Sequence, residues 1–278
     1  MNVRQSRNQV RLARQTNLDC SLGSRDHSAK GERYQMQTCC PIVELRQYTL
    51  HRGKRDVLID LFDREFIEPQ ETLGMNILGQ FRDLDDPDRF VWLRGFRDMA
   101  SRAAALQAFY GGPVWKAHRE TANATMIDSD NVFLLRPTRA DSGFALKTSD
   151  RSLRGSKEIR SGIVIGTIYY FDAPVNSGFI DFFERVMKPV LAEAGAVILA
   201  SFVTENSENT FPALPVREGE NVVIWFARFD NQATYDRYVA TLAQSPKWRD
   251  EVLNELTIHR NIAQEVLRLS PTTRSQLR

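Results

Sequence analysis

An α+β fold of two tandem β-α-β-β-α-β plaits, packed sheet to sheet within one chain, is predicted by three observations. Trp92 and Trp115 stand 23 residues apart, and so do Trp225 and Trp248. At a constant offset of 133, the segments WLRGFRDMASRAAALQAFYGGPVW and WFARFDNQATYDRYVATLAQSPKW also align Phe96 with Phe229 and Pro113 with Pro246. Upstream, GMNILGQF from Gly74 matches GAVILASF from Gly195 at an offset of 121. The difference of 12 residues is an insertion in the second copy, within the polar, Pro-containing stretch TENSENTFPALPVREGEN. Downstream, VFLLRP ending at Pro137 resembles VLRLSP ending at Pro271. A repeat of this kind organises the chain beyond its first 40 residues.

Each copy reads the same way. The first strand is Ile42 to Leu50, and Ile163 to Phe171 in copy two. A helix follows, with Val57, Leu58, Leu61, Phe62 and Phe66 at helical spacing, matched by Phe179, Ile180, Phe183, Val186 and Met187. Pro69 and Pro189 lie near the helix ends, and Gly74 and Gly195 open the next strand, roughly Met75 to Phe81 and Ala196 to Val203. The third strand spans Val91 to Phe96, or Val222 to Phe229. Asp98 and Asp230 are the predicted N-caps of a second helix. A short further helix carries Trp115 or Trp248, and the last strand is Val132 to Arg136, or Ala263 to Leu269. This order is the ferredoxin-like plait. One plait leaves a sheet face bare, and a second plait in the same chain is the means of covering it.

Charge divides the chain further. The 278 residues carry a net charge of +2. Residues 1–40 hold a net +4 and the stretch 136–162 another +4, so the two folded copies are acidic at −6. We therefore read residues 1–40 as a disordered basic tail, 41–137 as domain 1, 138–161 as a flexible basic linker and 162–278 as domain 2. Nucleic acid is not an expected partner. No run of 18 apolar residues is present to span a bilayer as a helix. The first 18 residues lack acids and place Arg4, Arg7, Arg11 and Arg14 on one helical face, as a mitochondrial transit peptide does. A start at Met36 and a plain disordered arm are the competing readings. The expected location is cytoplasmic, or the mitochondrial matrix if residues 1–35 are such a peptide.

Cys20, Cys39 and Cys40 all fall in the tail, so no disulfide framework, Cys-based metal site or cysteine nucleophile is expected in the folded part. His51, His118 and His259 do not cluster, and none has a second ligand at metal-binding spacing. No metal and no cofactor are expected. There is no G-x-x-x-x-G-K-[ST], H-E-x-x-H or G-x-S-x-G.

VELRQYTL at Val43–Leu50, followed by Gly53 and an amphipathic helix, resembles the opening of the NIPSNAP domain. The later Trp-containing strand, Arg/Ala-rich helix and Pro-x-Trp fit the same pattern, from about Ile42 to Arg136. In copy two, Glu44, Leu45 and Arg46 become Ile165, Gly166 and Thr167, and only the tyrosine persists, as Tyr169. The resemblance implies the dimeric α/β-barrel superfamily, which includes cofactor-free monooxygenases, small isomerases and haem enzymes. It also implies that some animal relatives act in mitochondria.

Alternation puts Glu44, Arg46 and Tyr48 on one strand face, and Trp92, Arg94 and Phe96 on one face of the third strand. If helices cover the apolar face, then Glu44, Arg46, Tyr48, Trp92 and Arg94 point into the barrel. There they form a candidate site for a planar or anionic small molecule, held by arginines and aromatic stacking. The competing reading is an ion pair of Glu44 with Arg46 or Arg94 at the interface between the copies. Trp115 and Trp248, present in both copies, read as core. Glu44 and Tyr48 are the candidate acid/base groups. The expected function is small-molecule or protein binding by a NIPSNAP-type barrel. The alternative is a cofactor-independent monooxygenase or isomerase acting on a small aromatic or carboxylated substrate in the domain-1 cavity. Homo-oligomerisation through an outer face is a further expectation.

Overall fold

The structure, a computed structural model, describes residues 39–146, 151–156, 161–259 and 264–278. The tail residues up to 38, Cys20 among them, lie outside the described residues, as do Lys147, Asp150, Lys157, Glu158 and Arg160 of the linker.

The first repeat runs β1 (Ile42–Leu50), α1 (Arg55–Leu61), a π-helical turn (Phe62–Phe66), α2 (Ile67–Thr72), β2 (Asn76–Asp83), β3 (Arg89–Phe96), α3 (Met99–Gly111), α4 (Pro113–Asn123) and β4 (Met126–Pro137). The second runs β5 (Ile163–Phe171), α5 (Ser177–Phe182), a π turn (Phe183–Met187), α6 (Lys188–Glu193), β6 (Val197–Thr204), β7 (Asn221–Phe229), α7 (Gln232–Gln244), a π turn (Trp248–Val252), α8 (Leu253–His259) and β8 (Glu265–Pro271). The repeat holds even for the first π turn. Its cause is local: Pro69 and Pro189 clash with the carbonyl four residues back, at Glu65 and Arg185, and a widened turn there relieves the clash. The helices therefore continue past the prolines. Asp98 caps α3, its side chain accepting from the Ser101 N–H at 2.6 Å. In the second repeat the cap is Asn231 rather than Asp230, in a reciprocal capping box with Thr234.

The eight strands close in the order β1-β3-β2-β8-β5-β7-β6-β4. Each plait contributes four neighbouring strands, and the two join edge to edge at β2–β8 (Phe81 opposite Pro271) and β4–β6 (Leu135 opposite Thr204). The inner faces pack against each other inside the closed barrel. Val43, Leu45, Val91, Leu93, Phe133 and Leu135 meet Val164, Ile168, Phe202, Ile224, Phe226 and Leu269 there. An eight-stranded barrel has room for side chains and little else, and this interior is filled mainly by apolar ones, with buried Gln47 on the same face of β1 as Val43 and Leu45.

Two boundaries shift. Cys40 is buried in the interior cluster, is disulfide-bonded to Cys39, and seats against Gly95, where a Cβ would collide with its sulfur. These two cysteines thus belong to the barrel rather than to the tail. Phe144, read as linker, packs between Phe202 and Phe226. Arg151 donates to the carbonyls of Ile77 and Arg274, which ties residues 151–156 of the linker to the first repeat and to the segment after β8.

Candidate functional site

The five predicted site residues do come together, but on the opposite face of the sheet. Tyr48, Trp92 and Phe96 belong to the cluster beneath the helices of the first repeat, with Leu58, Phe62, Phe66, Leu106 and Phe109. Glu44 pairs with Arg94 and Arg46 with Trp92 across β1 and β3, so all four share that face. The expectation that they point into the barrel is corrected. Both faces of β1 are buried, and the crowded barrel interior is the one that demands apolar side chains. The charged face therefore lies under the helices.

Glu44 is the centre. Its Oε2 accepts from Arg46 Nη1 at 2.8 Å and Arg94 Nε at 2.7 Å, and its Oε1 accepts from Arg102 Nε at 2.6 Å. All four side chains have zero exposure. Arg46 Nε donates to the Tyr48 hydroxyl at 2.9 Å, and Arg94 Nη1 to Gln70 Oε1 at 3.2 Å and Tyr110 at 3.4 Å. The guanidinium carbons of Arg46 and Arg94 lie 5.7 and 5.1 Å from the Trp92 ring. One nitrogen each of Arg94 and Arg102 (Nη2) is buried without a hydrogen-bond partner. Trp92 Nε1 is likewise unpartnered, but so is Trp225 Nε1 at the equivalent place, so that orphan marks the fold and not the site.

Burial pushes the Glu44 carboxyl up, but Arg94, Arg46 and Arg102 together outweigh it and hold the group far below the usual carboxylate range. Burial also opposes the charge on Arg46, and Tyr48 and Glu44 overcome it, raising the guanidinium. Burial raises the Tyr48 phenol, with Arg46 offsetting only part. Near neutral pH Glu44 is ionised and Tyr48 neutral, and neither is poised to exchange a proton.

Beside this cluster is a cavity of about 30 Å³, lined by aromatic side chains that include Tyr48, Phe62, Trp92, Phe109, Tyr110 and Trp115. The insertion of the second repeat packs beside the same cluster. Arg102 Nη1 donates to Asn209 Oδ1 at 3.0 Å, and Phe211 stacks on Tyr110 with ring centroids 5.9 Å apart. Leu214 and Val216 pack on the same core.

Gln70, Arg102, Tyr110, Asn209 and Phe211 escaped the sequence reading. One signal was available: Arg102 shares a helical stripe with Ala105, Leu106 and Phe109, all buried. His118 lies on the surface 3.7 Å from Glu65, His51 is in the turn after β1, and the His259 side chain lies outside the described residues. Among the described residues, no group of three His, Cys, Asp or Glu side chains is arranged to hold a metal.

Two fused plaits closing one eight-stranded barrel, with helices outside, define a dimeric α/β-barrel fold completed within a single chain. The NIPSNAP family model matches residues 43–140, about the span of the first repeat. The fold is similar to that of a protein described as a candidate monooxygenase from Fusobacterium nucleatum, with a TM-score of 0.52, 9% identity, and coverage of 86% of this chain and 95% of that one. A NIPSNAP family protein from Agrobacterium tumefaciens is 18% identical, covering 42% of this chain and 99% of its own, with a TM-score of 0.34. A NIPSNAP domain protein from Burkholderia xenovorans is 20% identical, over 34% of this chain and 93% of its own, with a TM-score of 0.32. No curated protein matches the chain. Among the described residues, no helix is long and apolar enough to cross a membrane.

Proposed function

We propose that the first repeat binds a small organic anion beneath its helices, with the charged end toward Arg94 and Arg102 and the apolar part among Trp92, Phe109 and Tyr110. One observation carries this reading. Three guanidiniums surround a single carboxylate, all at zero exposure, and among the described residues Glu44 is the only acid that ion-pairs with them. The excess positive charge sits where an uncompensated ion costs several kcal/mol, on the order of the penalty for a buried unpaired group. An anionic ligand supplies the compensation, and the unpartnered nitrogens of Arg94 and Arg102 supply the donors.

The cavity of about 30 Å³ admits one or two water-sized groups, so an aromatic acid enters by displacing the Asn209–Phe211 segment. Because Glu44 and Tyr48 hold their protons or charges away from neutrality, we assign binding rather than acid–base catalysis to the site. We propose a cytoplasmic location, or the mitochondrial matrix if residues 1–35 act as a transit peptide. Sequencing the mature N-terminus separates these two.

The test is a titration with small aromatic carboxylates and quinones, followed by tryptophan fluorescence and by melting temperature. A carboxylate is expected to quench fluorescence and raise the melting temperature, at least tenfold more weakly in Arg94→Lys. Equal affinity in the parent, Arg94→Lys and Arg46→Ala would overturn the assignment.

A further inference from the structure

The basic linker has a role that the barrel site does not absorb. Arg151 bonds the carbonyls of Ile77 and Arg274, and Arg274 in return donates to the carbonyls of Ser152 (3.3 Å) and Asp63 (2.6 Å). This cross-tie lays residues 151–156 across the π turn of the first repeat. Gly155, at a φ of +80°, turns the chain so that Arg154 and Ser156 overhang a groove of about 210 Å³. Arg64 and Arg82 face the same groove. Each spends one contact on a neighbouring acid, Arg82 on Asp56 and Arg64 on Glu65, and Arg154 reaches the Arg64 carbonyl and Glu65. The groove wall also holds Thr272. Its residue is 1% exposed, and its hydroxyl is buried without a hydrogen-bond partner.

We propose that this groove binds the phosphate group of a small soluble molecule, gripped by Arg64, Arg82 and Arg154, with the Thr272 hydroxyl donating to a phosphate oxygen. The geometry fits that chemistry. Arg64, Arg82 and Arg154, from a helix turn, a strand and the linker, line one groove together with Asp60 and Asp63, and provide planar donors for a multi-oxygen anion, which a single carboxylate would not occupy fully. The hydroxyl is a short donor at the wall, and the volume leaves room for a few heavy atoms beyond the phosphate. The site is separate from the Glu44 cluster: the two cavities share no lining residue. It stands or falls independently of the binding role assigned there.

The experiment is calorimetric and thermal titration of the full chain with inorganic phosphate, against chloride at matched ionic strength. Phosphate is expected to bind and to raise the melting temperature, whereas chloride leaves it unchanged. Arg154→Ala is expected to weaken phosphate at least tenfold. Thr272→Val, which replaces a hydroxyl lacking a partner by a methyl of similar size, is expected to weaken it several-fold while the fold stays intact. Arg94→Lys, in the other site, is expected to leave the phosphate isotherm unchanged. Absence of a phosphate-specific effect overturns the proposal, as does retention of parental affinity in Arg154→Ala. A loss of phosphate binding in Arg94→Lys also overturns it, since the anion would then belong to the Glu44 cluster.

Discussion

The two repeats share a backbone and differ in the layer between sheet and helices. Where the first repeat has Glu44, Arg46, Arg94 and Arg102, the second has Ile165, Thr167, Ala227 and Tyr235 at the same offsets. Tyr48 and Trp92 persist as Tyr169 and Trp225, and both pairs are buried. The second layer is an apolar core built on Phe179, Phe183, Met187, Trp225 and Phe229. The fold thus has a working version without charges in that layer. Replacing a buried ion cluster by apolar groups is commonly neutral or stabilising, so stability alone does not account for the charges of the first repeat. The proposed anion site would account for them.

The largest expected effect comes from removing the centre of that cluster. Glu44→Gln leaves three buried guanidiniums facing a neutral amide, and should lower unfolding free energy by about 3–5 kcal/mol in denaturant titrations. Added small carboxylates should restore part of the loss, because they supply the missing charge. A variant as stable as the parent would mean that the cluster is already compensated. Transplanting the second layer into the first is the complementary change. Glu44→Ile, Arg46→Thr, Arg94→Ala and Arg102→Tyr in one chain should remain within about 2 kcal/mol of the parent, while carboxylate binding disappears. If binding survives, the difference between the repeats has nothing to do with ligand.

Much of this was legible in the sequence, for identifiable reasons. The repeat offsets of 121 and 133 carried the elements, since β2 (Asn76–Asp83) and β6 (Val197–Thr204) coincide under the first and α3 (Met99–Gly111) and α7 (Gln232–Gln244) under the second. Alternation grouped Glu44 and Arg46 on one face of the first strand, and Trp92 and Arg94 on one face of the third. Which side of the sheet they occupy was not legible. Polarity alternation distinguishes inside from outside only when one face meets water, and here both faces are buried. Arg102 was hidden because a helical arginine ordinarily reads as solvated, and Asn209 and Phe211 because a long-range closure leaves no local pattern.

The repeats differ again at Asp63 and its counterpart, Glu184, 121 residues later. Glu184 accepts from Lys188 at 2.9 Å. Asp63 Oδ1 is buried without a partner, and burial, opposed by Arg274, Arg151 and Arg82, pushes its carboxyl from 3.8 up to about 6. A raised carboxyl means that the folded state holds the proton more tightly than the unfolded chain does. The resulting penalty is absent below about pH 4, grows as pH rises, and is complete above about pH 6. Asp63→Asn should therefore stabilise the protein by about 1–3 kcal/mol at pH 7 and leave it unchanged near pH 3. Asp63 lines the groove proposed for phosphate, so the same variant should bind phosphate more tightly at pH 7.

The smallest expected change in stability tests a place where the insertion of the second repeat packs on the first. Phe211 sits in the insertion that the first repeat lacks, and its ring lies at 26° to that of Tyr110. Phe211 is only partly buried, and an aromatic pair contributes about 0.5–1.5 kcal/mol beyond area burial, so Phe211→Ala should cost about 1 kcal/mol. Its kinetic effect should be larger. If the insertion is the closure over the anion site, removing the ring opens the route to Trp92 and Arg94, and stopped-flow tryptophan fluorescence should show both faster entry and faster release of a carboxylate. Affinity would then change less than either rate. Unchanged rates would make the insertion a fixed wall, and the path to the Glu44 cluster would have to lie elsewhere among the helices of the first repeat.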